Sequence, residues 1–116
     1  MVTIRIEPDP VPYSGRPIPE VSSCRILAHT WFYTQMLHNN TGRRVTFTER
    51  ENFFDGRFTS KNGSTVTLEP NGTVRLETKW CSGYGTFHYA QTRFKGRDED
   101  NNPITLSGPW VRLNPR

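Results

Sequence analysis

Three histidines, eleven carboxylates and two cysteines are the side chains to try first for chemistry in this 116-residue sequence. His29, His38 and His88 fit no HExxH spacing, and no CxxC, GxSxG or phosphate-binding glycine loop occurs. His29 and His88 could stand on neighbouring strands as a two-histidine metal site, but ordinary strand positions account for them more simply. Asp98, Glu99, Asp100, Asn101 and Asn102 put five oxygen-bearing side chains in a row, the donor type a hard cation prefers. The run lacks the glycine and the distal glutamate of an EF-hand loop, so it reads as a solvated hairpin turn. Glycoside hydrolysis needs two opposed carboxylates in a cleft, and the scattered acids single out no pair. The sequence therefore predicts no catalytic residue, no metal and no cofactor.

Cys24 and Cys81 lie 57 positions apart and belong to no metal-ligand pair. A bridge between them closes a long loop, which stabilises a fold by about 4 kcal/mol in the chain-entropy account. A domain this small, with an apolar fraction of only 33%, gains most from such a staple. A disulfide is the expected state, and it implies a secreted, periplasmic or cell-surface protein. Two buried free thiols are the alternative.

Aromatic residues are the other candidates. Tyr84, Phe87 and Tyr89 sit among polar neighbours, a composition that suits stacking on a sugar ring. Arg93, Lys95 and Arg97 alternate with Phe94, and Arg43 and Arg44 could join them as a basic groove for single-stranded nucleic acid. The net charge of +4 includes no run of five or six like charges, and an oxidising compartment argues against nucleic acid. No stretch approaches the 18 apolar residues of a membrane span. Met1 to Glu7 does not read as a signal peptide, since Arg5 and Glu7 interrupt any apolar core.

Strands must position these groups. Val2, Ile4 and Ile6 alternate with Thr3, Arg5 and Glu7, the period of a half-buried strand. Five of the nine prolines follow within residues 8–20, which predicts an extended, non-sheet arm. A strand is expected near Thr30–His38, a turn at Asn39-Asn40-Thr41-Gly42, and a hairpin partner from Arg43 to Asn52. Asp55-Gly56, Asn62-Gly63 and Asn71-Gly72 mark further turns. Asn39, Asn62 and Asn71 each open an Asn-X-Ser/Thr sequence, but asparagine is expected in turns in any case. Short strands follow at Val66–Leu68, Thr73–Cys81, Thr86–Lys95, Ile104–Ser107 and Trp110–Leu113. Seven to eight strands with turns every 8–12 residues predict a two-sheet antiparallel sandwich, with the cysteines stapling one sheet to the other. Trp31, Trp80 and Trp110 are expected in the core, with a sugar-stacking platform as the alternative. The division is a 1–20 strand and arm, then a 21–116 domain.

Thr30-Trp31-Phe32-Tyr33, Val45-Thr46-Phe47-Thr48, Phe54-Asp55-Gly56 and Trp80-Cys81-Ser82 resemble secreted bacterial immunoglobulin-like modules over roughly residues 20–113. The resemblance implies a spacer, adhesin or surface-fibre subunit and carries over no site residue. The functional expectation is a non-enzymatic extracellular structural or adhesive module. Val2, Ile4, Ile6, Val11, Tyr13 and Ile18 would form an arm that adds a strand to another copy or to another extracellular domain. A carbohydrate-binding module is the alternative.

Overall fold

Alternation decides which side of each strand meets the core. The computed structural model describes residues 1–116 as nine strands: β1 (Val2–Glu7), β2 (His29–Asn39), β3 (Val45–Phe54), β4 (Arg57–Asn62), β5 (Val66–Leu68), β6 (Thr73–Ser82), β7 (His88–Asp98), β8 (Pro103–Ser107) and β9 (Val111–Leu113). The only helical piece is a single 3₁₀ turn at Ser22–Cys24. Every ladder is antiparallel. The first sheet has the order β1-β2-β6; the second has β4-β3-β7-β8, with β5 also on β3 and β9 also on β7.

The expected hairpin between β2 and β3 does not form. β2 pairs with β1 and β6, while β3 pairs with β4, β5 and β7, so the turn after Asn39 carries the chain from one sheet to the other. Burial explains the change: seven of the eleven β2 residues are buried and none is exposed, which suits the centre of a sheet rather than one arm of a hairpin. Asn39 makes the corner. It is fully buried, and its Nδ2 donates to the carbonyls of Arg43 (2.7 Å) and Leu68 (3.1 Å) while its Oδ1 accepts from Thr41 N and Oγ1. β4 has no alternation to announce it; the Asp55-Gly56 turn, with φ of 52° and 81°, folds it back onto β3.

Two apolar clusters join the sheets. One gathers Val2, Leu37, Val45, Phe47, Leu68 and Phe94. The other gathers Ile6, Val11, Trp31, Tyr33, Val111 and Leu113. Ile4 packs against both. Between them runs a polar belt, where Gln35 Nε2 donates to Thr78 Oγ1 of its own sheet and to Thr92 Oγ1 of the other, each at 3.1 Å.

The bridge between Cys24 and Cys81 is present, with Cα atoms 5.7 Å apart. It does not staple the two sheets. Cys81 lies on β6 beside Thr30 of β2, and Cys24 lies in the loop that leads into β2, so the bridge clips that loop to the edge of one sheet.

Nor do residues 1–20 stand apart from 21–116. β1 pairs with β2 over its whole length, from Val2 opposite Asn39 to Glu7 opposite Thr34. Val11 N donates to Arg112 O (2.8 Å) and Asn114 N donates to Val11 O (2.9 Å), while Ser14 N donates back to Thr30 O (3.0 Å). The proline-rich segment thus crosses from the first sheet to β9 of the second and returns. Val2, Ile6, Val11 and Ile18 are buried in the chain's own interior, with Ile4 and Tyr13 packed against it. These side chains are engaged where they are and not held out toward a partner, because the core lacks enough other apolar surface to close without them.

Candidate functional site

The outer face of the second sheet carries the exposed aromatics. Ala90, Thr92 and Phe94 of β7 point inward, so Tyr89, Gln91 and Arg93 point outward. Val111 and Leu113 fix the same phase on β9 and leave Trp110 and Arg112 outside. Phe87, Tyr89 and Trp110 are 47%, 39% and 48% exposed and share a depression with Asp55 and Gly56 of the β3–β4 turn. Phe87 meets Tyr89 edge to face at 5.4 Å, and the Arg112 guanidinium lies 4.9 Å above the Phe87 ring.

Asp55 locks this platform to its scaffold. Its backbone N–H donates to Tyr89 O (2.8 Å), and its Oδ1 accepts from Tyr89 N (3.0 Å). Its Oδ2 lies 2.7 Å from His88 Nδ1, yet the side chain stays 45% exposed. A carboxylate has lone pairs beyond those two contacts, and Asp55 borders the aromatic depression.

Behind the platform, Ser82, His88 and Asp55 border one recess with Phe54 and Tyr84. Those are the residue types of a hydrolytic triad, but they are wired differently. Ser82 Oγ accepts from Tyr84 N (3.1 Å), and the two ring nitrogens of His88 face Asp55 Oδ2 and Tyr84 O (3.2 Å). No ring nitrogen is left to take the serine proton. His88 stacks with Phe54 at 4.7 Å and meets Trp31 edge to face at 5.3 Å, and so it packs as a wall of the core.

Of the residues predicted for stacking, Phe87 and Tyr89 come together and Tyr84 does not. Tyr84 is 74% exposed on the recess side of Asp55. Trp110 was expected in the core and is instead part of the platform, since it is out of phase with Val111 and Leu113. That phase was the signal. Trp31 is fully buried, with its indole N–H donating to the Asn114 carbonyl (2.8 Å), and Trp80 is partly buried beside it, its indole N–H donating to the Tyr33 phenol oxygen (3.0 Å).

The other candidates are dispersed. His29, on the first sheet, contacts Tyr13 through Nδ1 at 2.9 Å; His38 contacts Thr73; the ring nitrogens of His88 have Asp55 and Tyr84 as partners. No three His, Cys, Asp or Glu side chains gather as metal ligands. In the acidic turn Asp98 caps Asp100 N and Asn102 N, Glu99 accepts from Arg44 N, and Asp100 pairs with Arg43. The basic groove does not exist: Phe94 is buried in the core, and Arg93 and Lys95 both bind Glu51.

No protein-family model matches the chain, and no curated protein does. Solved structures match its fold. The Northeast Structural Genomics Consortium target SoR45 superposes with a TM-score of 0.76 at 12% identity, covering 98% of this chain and 86% of its own. Target BeR40 of the same consortium, an ApaA candidate from Bordetella pertussis, gives 0.76 at 12% identity over 98% of this chain and 93% of that one. At that identity the likeness is one of fold. No helix is long and apolar enough to cross a membrane.

Proposed function

We propose that this chain is a non-catalytic binding module of secreted or cell-surface type, immunoglobulin-like in architecture, that takes a saccharide on the Phe87–Tyr89–Trp110 platform. The observation that carries the reading is three large aromatic rings left about half exposed beside a half-exposed carboxylate, at the ends of strands whose nearest inward residues, His88, Ala90, Val111 and Leu113, are buried. Sugar C–H faces stack on such rings, and Asp55 supplies acceptors for the hydroxyls at their edge. Rigid support keeps the entropic cost of binding low. An adhesive role is the same chemistry with the saccharide fixed to a surface. Fibre assembly through β1 has less support, since that strand and the segment after it complete the chain's own core.

Retention of the purified protein on insoluble polysaccharides tests the proposal. Retention on at least one is expected, and Trp110→Ala should weaken it about tenfold or more, at the scale of a lost aromatic anchor, while Tm stays within a degree or two. Absence of retention on every matrix tried would sink it.

A further inference from the structure

The irregular course of β3 has placed a cation where sequence alternation would not. Val45 and Phe47 point inward, but the register slips between Phe47 and Glu49 against β7. Beyond the slip Arg50 stands opposite Phe94, Asn52 opposite Thr92 and Phe54 opposite Ala90, and those three β7 residues are all buried. The bulge therefore re-aims Arg50 into the space between the sheets. Gly96 permits it: a Cβ there would lie 1.9 Å from Thr46 O and 2.6 Å from Phe47 Cα.

The same slip turns the two neighbouring β3 carboxylates away from Arg50. Glu49 pairs with Lys61 at 3.0 Å, and Glu51 pairs with Arg93 and Lys95, on the opposite face of the sheet. Arg50 forms no ion pair, and its Nε is buried with no hydrogen-bond partner. Its guanidinium lies 5.9 Å from the Phe94 ring. Burial without a counter-charge lowers the Arg50 guanidinium from its ordinary value. Beside it is a cavity of about 220 Å³, several times the roughly 30 Å³ of one water. Gln35, Asn52, Ser60, Asn62 and Thr78 line it, and Trp80 is its one hydrophobic wall. Two charged residues also border it and are already held: Glu77 by Thr34 Oγ1, Lys79 by Glu20.

We propose that this inter-sheet cleft is a binding site for a small hydroxylated carboxylate of the sugar-acid type, with Arg50 receiving the carboxylate. A guanidinium matches a carboxylate in a two-pronged hydrogen-bonded pair, and the surrounding amides and hydroxyls match the ligand's hydroxyls. Arg50 is partly buried and unpaired, with its Nε fully enclosed, which costs stability, and a ligand that completes the pair repays the cost. The cleft opens to solvent between β4 and β6 and shares no lining residue with the aromatic platform, so this site stands or falls independently of the saccharide reading.

Nuclear magnetic resonance titration of the whole chain tests it, with glucuronate, glucose and inorganic phosphate as probes. Glucuronate should move the Arg50 Nε–H and the side-chain amides of Gln35 and Asn52 in a saturable way. Arg50→Gln should weaken that binding about tenfold or more. Arg50→Met should abolish it and raise Tm, the reverse of what a structural arginine would do. Glucose shifts confined to the Trp110 indole would report the platform alone and leave the cleft proposal unsupported if glucuronate gives no others. Absence of a saturable Arg50 shift with glucuronate, an unchanged response in Arg50→Gln, or an equal response to phosphate would each overturn it.

Discussion

The two ends of the molecule are closed by different means. At the Asn39 end, the main chain seals itself: one buried amide reaches the carbonyls of Arg43 and Leu68, Asn39 N and O bond Gly72 and Asn71, and Asp98 caps its own turn. At the Trp31 end, closure comes from outside the strands, through the proline-rich segment, the disulfide and the indole bond to Asn114. The first end exposes no large aromatic residue. The second carries the platform and the recess. An end that seals itself with tight turns leaves nothing spare to present, whereas one braced by prolines and a cystine can hold exposed rings on short, well-supported strand ends.

Breaking each closure separately tests that contrast. Replacing both cysteines, as Cys24→Ser with Cys81→Ser, should cost about 4 kcal/mol in chemical denaturation. Amide exchange should rise first around residues 21–31 and the platform, with the Asn39 corner still protected. Asn39→Ala should cost roughly 3 kcal/mol, because it leaves buried carbonyls unpaired. Its exchange signature should appear at residues 39–45 and 68–73, with polysaccharide retention unchanged. If either variant loosens both ends equally, the two closures are not independent.

Tyr33 offers a sharper probe of the Trp31 end. Burial pushes its phenol up to about 12, against the smaller opposing effect of the Trp80 indole that donates to its oxygen. A raised folded value means the contribution is intact below the ordinary value of 10.0 and is lost as pH climbs from there through about 12. The loss should approach roughly 2–3 kcal/mol, and Tyr33→Phe should remove that part of the alkaline slope. The smallest effect is acidic. Glu20, hydrogen-bonded by Lys79, and Glu51, hydrogen-bonded by Arg93, are both held below the ordinary carboxylate value. Their contribution is present above that value and fades as pH falls through the lowered one. The Glu20–Lys79 pair is exposed and Glu51 is largely covered, so added salt should flatten the Glu20 part of the acid slope more than the Glu51 part.

Much of the fold was readable because period-two alternation reports burial directly. Val2, Ile4 and Ile6, the Val74–Trp80 series and the Asp55-Gly56 turn all fall where their patterns place them. Alternation says nothing of which strand lies beside which. The β2–β3 pairing failed for that reason, and so did the idea of a cystine joining two sheets. β4 escaped notice because all six of its residues are exposed and no face is marked. For the platform, the sequence marked Phe87 and Tyr89 by type, while Trp110 required the phase of Val111 and Leu113. Arg50 was illegible, since its inward aim comes from a bulge that only the close approach of Gly96 to Thr46 makes possible.

Val11 is held between Arg112 and Asn114, so some of the earliest residues wait on some of the latest. A nascent chain still lacking residue 112 has a β1 to pair but nothing to receive the proline-rich segment, and its Trp31 has no carbonyl to bond. Completion of the apolar cluster around Trp31 is therefore postponed until synthesis has passed Asn114, whereas the cluster around Phe47 and Phe94 has all its residues earlier.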